Sequence, residues 1–155
     1  MEYTVRDYMQ KKVVTASPDE TVQSVIGLMV SKKTNGLVIL DDDNKVIGIL
    51  SSWDIIKHIV PDYLEEDGHL ARFEASDIFA SRVKHVKDDP ISKFMTKKVR
   101  TVKEDCSLMV AITLLSEFHI RQLPVVDEEN HLIGYLNRTD IKKAVSDVLS
   151  GKKKS

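Results

Sequence analysis

The 155-residue chain has one cysteine, four prolines, six glycines and one tryptophan, and aromatic residues make up only 6% of it. The lone Cys106 cannot close an intrachain disulfide, which fits a reducing, cytoplasmic setting. No companion His, Asn or Asp pattern marks it as a nucleophile, so it reads as a small residue in the first turn of a helix. An excess of one charge is also missing. Lys and Arg number 23 against 24 Asp and Glu, for a net charge of −1. Broad nucleic-acid binding needs a basic footprint, so that partner is not expected. The basic tail Lys152–Lys154 reads as a solvated end.

Long apolar runs are absent too. Leu37–Leu40 is typical of the longest, whereas a membrane span takes about 20 residues. Glu2, Arg6 and Asp7 interrupt any apolar opening stretch, so no signal peptide is expected. There is no Walker loop and no dinucleotide-binding glycine fingerprint. The five histidines show no metal-ligand spacing, and Asp41–Asn44 lacks the Gly and terminal Glu of a calcium loop. With no nucleophile, base and orienter set either, the expectation is a protein that is not an enzyme, has no metal site and requires no cofactor.

What the chain does contain is one unit written twice. Val5–Val60 and Ile91–Ser146 correspond at a constant offset of 86 residues without a gap. Matched pairs include Met9/Met95, Thr15/Thr101, Asp19/Asp105, Ile26/Ile112, Leu37/Leu123, Asp41/Asp127, Gly48/Gly134, Leu50/Leu136 and Asp54/Asp140. Repeats too small to bury a full core gain stability by packing together. The segments are residues 1–60, a connector at 61–90, a second repeat at 91–150 and a tail at 151–155.

Each repeat opens with a short amphipathic segment, then a β-branched stretch, Val13–Thr15 or Val99–Val102. Ser17-Pro18-Asp19-Glu20 carries the signature of a helix start, with an N-cap, a Pro and a capping-box Glu. Val22, Val25, Ile26, Met29 and Val30, or Leu108, Ala111, Ile112, Leu115 and Phe118, follow at helical spacing. Two strands then flank an Asp- and Asn-rich turn at 41–45 or 127–131, which suits a hairpin. A last helix starts at Ser52 or Arg138, with Gly151 as a stop signal. The connector contains Leu64, Leu70, Phe73, Ile78, Phe79 and Val83 and is expected to be partly helical, since long structureless loops are unusual in compact domains. The expected fold class is α+β (mixed α/β): two βαββα repeats packed with pseudo-two-fold symmetry.

This order, with Leu123-Pro124-Val125-Val126-Asp127, Ile133-Gly134-Tyr135-Leu136 and Ile47-Gly48-Ile49-Leu50-Ser51-Ser52-Trp53-Asp54, resembles the tandem cystathionine β-synthase (CBS) domain pair, or Bateman module. The resemblance covers nearly the whole chain outside the connector. It implies clefts between the repeats for an adenosine-containing ligand: AMP, ADP, ATP, NAD or S-adenosylmethionine. The family's ligand motif is Gly, two apolar residues, Thr or Ser, two variable residues, then Asp. Gly48 to Asp54 fits it, with Ser51 facing phosphate and Asp54 holding the ribose hydroxyls. Gly134 to Asp140 keeps Asp140 but has Asn137 in the Thr/Ser place.

By the same resemblance the adenine slot falls on Val14, Thr15 and Ala16 with Asn35, Gly36, Leu37 and Val38. In the second repeat it falls on Arg100, Thr101 and Val102 with Gln122, Leu123 and Pro124. Arg121, and less so His119, stand where basic residues meet the phosphate. The resemblance implies a stand-alone regulatory module that forms a homodimer and signals to another protein. A dimerisation module with degenerate ligand sites is the alternative.

The motif also has a reading of its own. Gly48 and Gly134 leave room for a ligand or another backbone. Ser51 at a helix start places free N–H groups toward a phosphate, and an ionised Asp accepts both hydroxyls of a cis-diol. The competing reading is that Ser51 or Ser52 caps the helix and Asp54 complements its dipole.

Overall fold

The computed structural model describes residues 2–63, 78–118 and 120–152. The first repeat runs α1 (Val5–Tyr8), β1 (Thr15–Ala16), α2 (Val22–Lys32), β2 (Gly36–Leu40), β3 (Val46–Ser51) and α3 (Ser52–Ile59). Helix α4 (Ile78–Val86) follows in the stretch between the repeats. Leu64, Leu70 and Phe73 lie outside the described residues. The second repeat opens with a 3₁₀ turn (Ile91–Lys93) and continues as α5 (Leu108–Glu117), β4 (Gln122–Val126), β5 (Leu132–Asn137) and α6 (Arg138–Leu149).

Strand β1 runs parallel to β2, and β2 antiparallel to β3. In the second repeat β4 and β5 pair antiparallel, but the expected strand over Val99–Val102 is reduced to one parallel bridge, Val102 to Val125. Pro124 explains the loss. In the first repeat the Val38 N–H donates to the Val14 carbonyl at 3.1 Å. The equivalent of Val38 is Pro124, which has no N–H to give.

The two hairpin turns are alike. Asp41 Oδ1 accepts from the N–H groups of Asp43 and Lys45, and Asp127 Oδ1 from those of Glu129 and His131. Asn44 and Asn130 take φ of 62° and 69°, a left-handed conformation Asn tolerates. At the other end of the chain, Gly151 sits past the α6 cap with φ of 70° and donates to the Val148 carbonyl, as its stop signal predicts.

One helix starts later than its sequence signature. Thr21, not Ser17, caps α2, accepting from the Ser24 N–H at 3.2 Å. Ser17 and Glu20 still bond, the Ser17 N–H to Glu20 Oε2 at 2.7 Å. However, the carbonyls of Pro18 and Glu20 accept from the N–H groups of Ser92 and Ile91, so this segment faces the other repeat. In the second repeat Ser107 is the cap, which leaves Cys106 just ahead of the helix instead of in its first turn.

Those bonds belong to a reciprocal exchange. The Val5 N–H donates to the Cys106 carbonyl, and the Ile91 N–H to the Glu20 carbonyl, both at 2.9 Å. Gln10 bridges Tyr135, and Thr96 bridges Ile49. Each core is thus closed by the opening segment of the other repeat. Val5 and Tyr8 pack with Val102, Leu108, Ala111, Leu115, Leu123, Val125, Leu136 and Ala144. Val86 and Ile91 pack with Ala16, Val22, Val25, Met29, Leu37, Ile39, Leu50 and Ile55. The space left by Gly48 and Gly134 is filled the same way: a Cβ at either would lie 2.7 Å from Sδ of Met95 or Met9. Helix α4 is tied in through Arg82, whose Nε and Nη2 donate to the last carbonyls of α3, Ile59 and His58, as cations at helix C-termini do. On the pseudo-axis, Lys45 bridges His131, and a small cluster of Val38, Val46 and Val126 fills the seam.

Candidate functional site

At each strand-to-helix junction the residues of the repeated motif close a capping box. Ser51 accepts from the Asp54 N–H at 3.2 Å, and Asp54 Oδ2 accepts from the Ser51 N–H and hydroxyl at 2.9 and 3.1 Å. Asn137 Oδ1 accepts from the Asp140 N–H at 3.1 Å, and Asp140 Oδ2 from the Asn137 N–H at 2.8 Å. The capping role is therefore present at both junctions, and it takes one oxygen of each carboxylate. Asp54 Oδ1 has no partner among the described residues. Asp54 borders a cavity of about 250 Å³ with Lys57, His58 and Phe94. There the His58 ring stacks on Phe94 at 4.2 Å and its Nε2 lies 2.9 Å from Asp89 Oδ2. That bond holds the Asp89 carboxyl below the usual range.

The larger cleft, about 310 Å³, lies between the repeats. Val13 and Val14 give it an apolar wall beside Thr34 and Gly36 of the first repeat. Tyr135 and Asn137 of the second repeat form the opposite side. Lys12, Lys32 and Lys33 supply positive charge, and Gln10 completes the lining. Behind Gln10 is Asp140, only 9% exposed. Gln10 Nε2 donates to both of its carboxylate oxygens, at 3.0 and 3.1 Å.

This cleft can hold a molecule with an apolar body and negative charge. The CBS domain profile matches residues 5–61 and 86–147. The chain belongs to the CBS domain family. It is 30% identical over 154 residues to the uncharacterized protein MJ1426 of Methanocaldococcus jannaschii, covering 91% of this chain and 90% of that one. Other relatives are longer: the chain spans 22% of the inosine-5′-monophosphate dehydrogenase of the same organism. Among solved structures, CBSX2 in complex with AMP matches with a TM-score of 0.73 at 27% identity, over 94% of this chain and 98% of that one. CBSX2 is a chloroplastic protein of Arabidopsis thaliana. The CBS domain pair of MJ0100, in complex with 5′-methylthioadenosine and S-adenosyl-L-methionine, matches with a TM-score of 0.69 at 25% identity, over 92% and 98%.

Within this CBS pair the expected site residues separate into two groups. Val14, Gly36 and Asn137 meet in the larger cleft, and Asn137 with Asp140, like Ser51 with Asp54, forms a helix start. Ala16, Leu37, Val38 and Leu123 are core side chains, and Pro124 is buried in β4; a ligand could meet them through their backbone only. Val102 is likewise in the second core, while Thr15 and Thr101 are partly buried. Asn35 is exposed and its carbonyl accepts from the Ser52 N–H. Gln122 lies across the seam against Gly36, where any Cβ would collide with its amide, and its Oε1 is buried without a partner among the described residues. Arg100 stacks over the Phe118 ring at 3.9 Å. Arg121 is exposed and does not line the cleft. His119 lies outside the described residues.

The cleft cations Lys12, Lys32 and Lys33, together with Gln10 and Tyr135, are not evident from the motif. A signal for one of them exists: Lys11-Lys12 recurs as Lys97-Lys98 at the same offset of 86. The β4–β5 turn also gathers Asp127, Glu129 and His131, with ligand-type atoms within 4.8 Å, a grouping the histidine spacing does not suggest. Asp127 is committed to its own turn, since it accepts from two backbone N–H groups and lies 3.1 Å from His131 Nδ1.

Burial raises the Asp140 carboxyl above its ordinary range, against the downward pull of the Asn137 N–H and the Gln10 amide. Its contribution to stability is therefore complete below the unfolded value, about 3.9, and is lost as pH rises through the higher folded value. Asp140→Asn keeps an acceptor for the Asn137 N–H and carries no charge to desolvate. The variant is expected to gain stability relative to the parent as pH rises from about 4 to 7. Melting curves across that range check it; parallel curves for the two proteins would refute it.

Proposed function

We propose that the chain is a regulatory module that takes an adenosine nucleotide of the AMP, ADP or ATP class between its two CBS repeats. The observation that carries this is the larger cleft, which joins an apolar segment of one repeat, Val13–Val14 just ahead of β1, to the Asn137 helix start of the other and adds Lys12, Lys32 and Lys33. The valines suit an adenine face. The lysines and the α6 N-terminus suit phosphate. The AMP complex of CBSX2, a relative of the same fold, supports the same ligand class. Because the ligand would touch both repeats, it would favour one packing of the halves over another and so pass a signal to a partner protein.

A titration calorimeter distinguishes the candidates. Protein stripped of carried-over ligand is expected to bind AMP or ATP more tightly than S-adenosylmethionine, whose sulfonium meets the lysines as a like charge. Failure of AMP, ATP, NAD and S-adenosylmethionine all to bind would end this proposal.

A second reading, a dimerisation module with silent clefts, is favoured by the apolar residues left on the helix faces. Val30, Met109, Trp53 and Val148 are 72%, 67%, 61% and 55% exposed. A second copy of this chain is the occupant we propose for these faces under either reading. Light scattering on the same sample, with and without nucleotide, is expected to give two chains per particle. A melting temperature indifferent to nucleotide would select the second reading, because a specific ligand stabilises the folded state by mass action.

A further inference from the structure

We propose that Gln10 is a built-in competitor for the ribose position at Asp140, so that the two carboxylates of the repeated motif load unequally, Asp54 first. This rests on the adenosine reading above. A ribose offers two adjacent hydroxyl donors, which a carboxylate receives on its two oxygens. Gln10 Nε2 already makes that pair of bonds, at 3.0 Å to Oδ1 and 3.1 Å to Oδ2 of Asp140. Gln10 lines the cleft and Asp140 does not, so a diol must displace the amide to reach the carboxylate. The competitor is tethered to the same chain and is present at high effective concentration.

The other repeat supplies the control. Offset by 86, the equivalent of Gln10 is Thr96 and that of Asp140 is Asp54. The backbones are held alike: Gln10 and Tyr135 exchange N–H···O bonds of 2.8 and 2.9 Å, and Thr96 and Ile49 exchange two of 2.9 Å. Only the side chain differs. Thr96 makes no bond to Asp54, whose Oδ1 stays unpartnered among the described residues. A Thr is also two bonds too short to copy the Gln amide. The unequal access to the two carboxylates thus arises from the Gln10/Thr96 difference on backbones held alike.

Calorimetric titration with AMP tests it. The unsubstituted protein is expected to show a tighter site, lost in Asp54→Ala, and a weaker one. Gln10→Thr is expected to tighten the weaker site on the order of tenfold, the scale of a hydrogen-bond pair to a charged group, and to leave the tighter one unchanged. Thr96→Gln is the reciprocal test and is expected to weaken the tighter site. Both residues are exposed and hold their strands through backbone atoms, so neither substitution disturbs a core. Two equal sites in the unsubstituted protein, or a weaker site unmoved by Gln10→Thr, overturns the role of Gln10 while the adenosine reading stands. No AMP binding by either the unsubstituted protein or Gln10→Thr overturns that reading and this inference with it.

Discussion

Replacing Ile91 by Ala lowers the unfolding free energy by about 2–5 kcal/mol, and a thermal melt registers it as a fall of roughly 5–20 °C. Ile91 has no exposed surface, and its side chain lies in the core of the first repeat, among Val22, Val25, Leu37 and Leu50. Its N–H is also tied to the Glu20 carbonyl at 2.9 Å, so a truncated side chain leaves a cavity that the held backbone cannot collapse to fill. Ile91→Val, which removes one methylene, is expected to cost only about 0.5–1.5 kcal/mol. The location of the damage matters more than its size. Hydrogen exchange after Ile91→Ala is expected to quicken at β2 and β3, residues Gly36–Leu40 and Val46–Ser51. Acceleration confined to α5, β4 and β5 instead would show that the exchanged packing does not hold in solution. For the same reason the first repeat expressed without Val86 and Ile91 lacks part of its core.

This exchange is also where sequence patterns stop being informative. The offset of 86 residues predicted matching strands, and β2 and β4, like β3 and β5, match it at both ends. Such agreement arises because alternation, helical spacing and Asp/Asn turns are local signals, each legible within about ten residues. The start of α2 departs from its local signature for a nonlocal reason. Ser17 to Glu20 has the right chemistry for a cap, but the carbonyls of Pro18 and Glu20 are taken by Ser92 and Ile91, which no local window contains. Pro124 is an intermediate case: its missing N–H was visible in the sequence, but its effect on the Val99–Val102 strand required the register of the first repeat.

The candidate site divides along the same line. Ser51 with Asp54, and Asn137 with Asp140, sit at helix starts as their spacing indicates. The side chains of Leu37 and Leu123 are core, since a strand buried on both faces has few side chains to offer a ligand. The cleft cations come from the ends of elements, Lys12 before β1 and Lys32 and Lys33 at the close of α2. They converge only once the repeats are packed. The amide of Gln10 on Asp140 spans 130 residues of sequence and follows from the exchange itself.

The carboxylate left open by that packing carries the other large effect. Asp54→Ala is expected to weaken AMP binding by about ten- to a hundredfold, the equivalent of about 1.5–3 kcal/mol for hydrogen bonds to a charged group. Asp140→Ala is expected to weaken it far less, because Gln10 already holds that carboxylate. A complication is that Asp54 Oδ2 also closes the capping box on Ser51, and loss of a cap typically costs about 0.5–2 kcal/mol of stability. The cap needs only Oδ2, whereas the diol needs both oxygens, so the two roles can be separated. Asp54→Asn retains an acceptor for the Ser51 N–H but loses the charge and one acceptor oxygen. It is expected to melt close to the unsubstituted protein yet bind AMP about as poorly as Asp54→Ala. Calorimetry and a melting curve on the same three proteins decide the matter. If Asp54→Asn and Asp54→Ala both lose stability while AMP affinity holds, then Asp54 serves the helix alone and the ligand is received in the larger cleft, which Asp54 does not line.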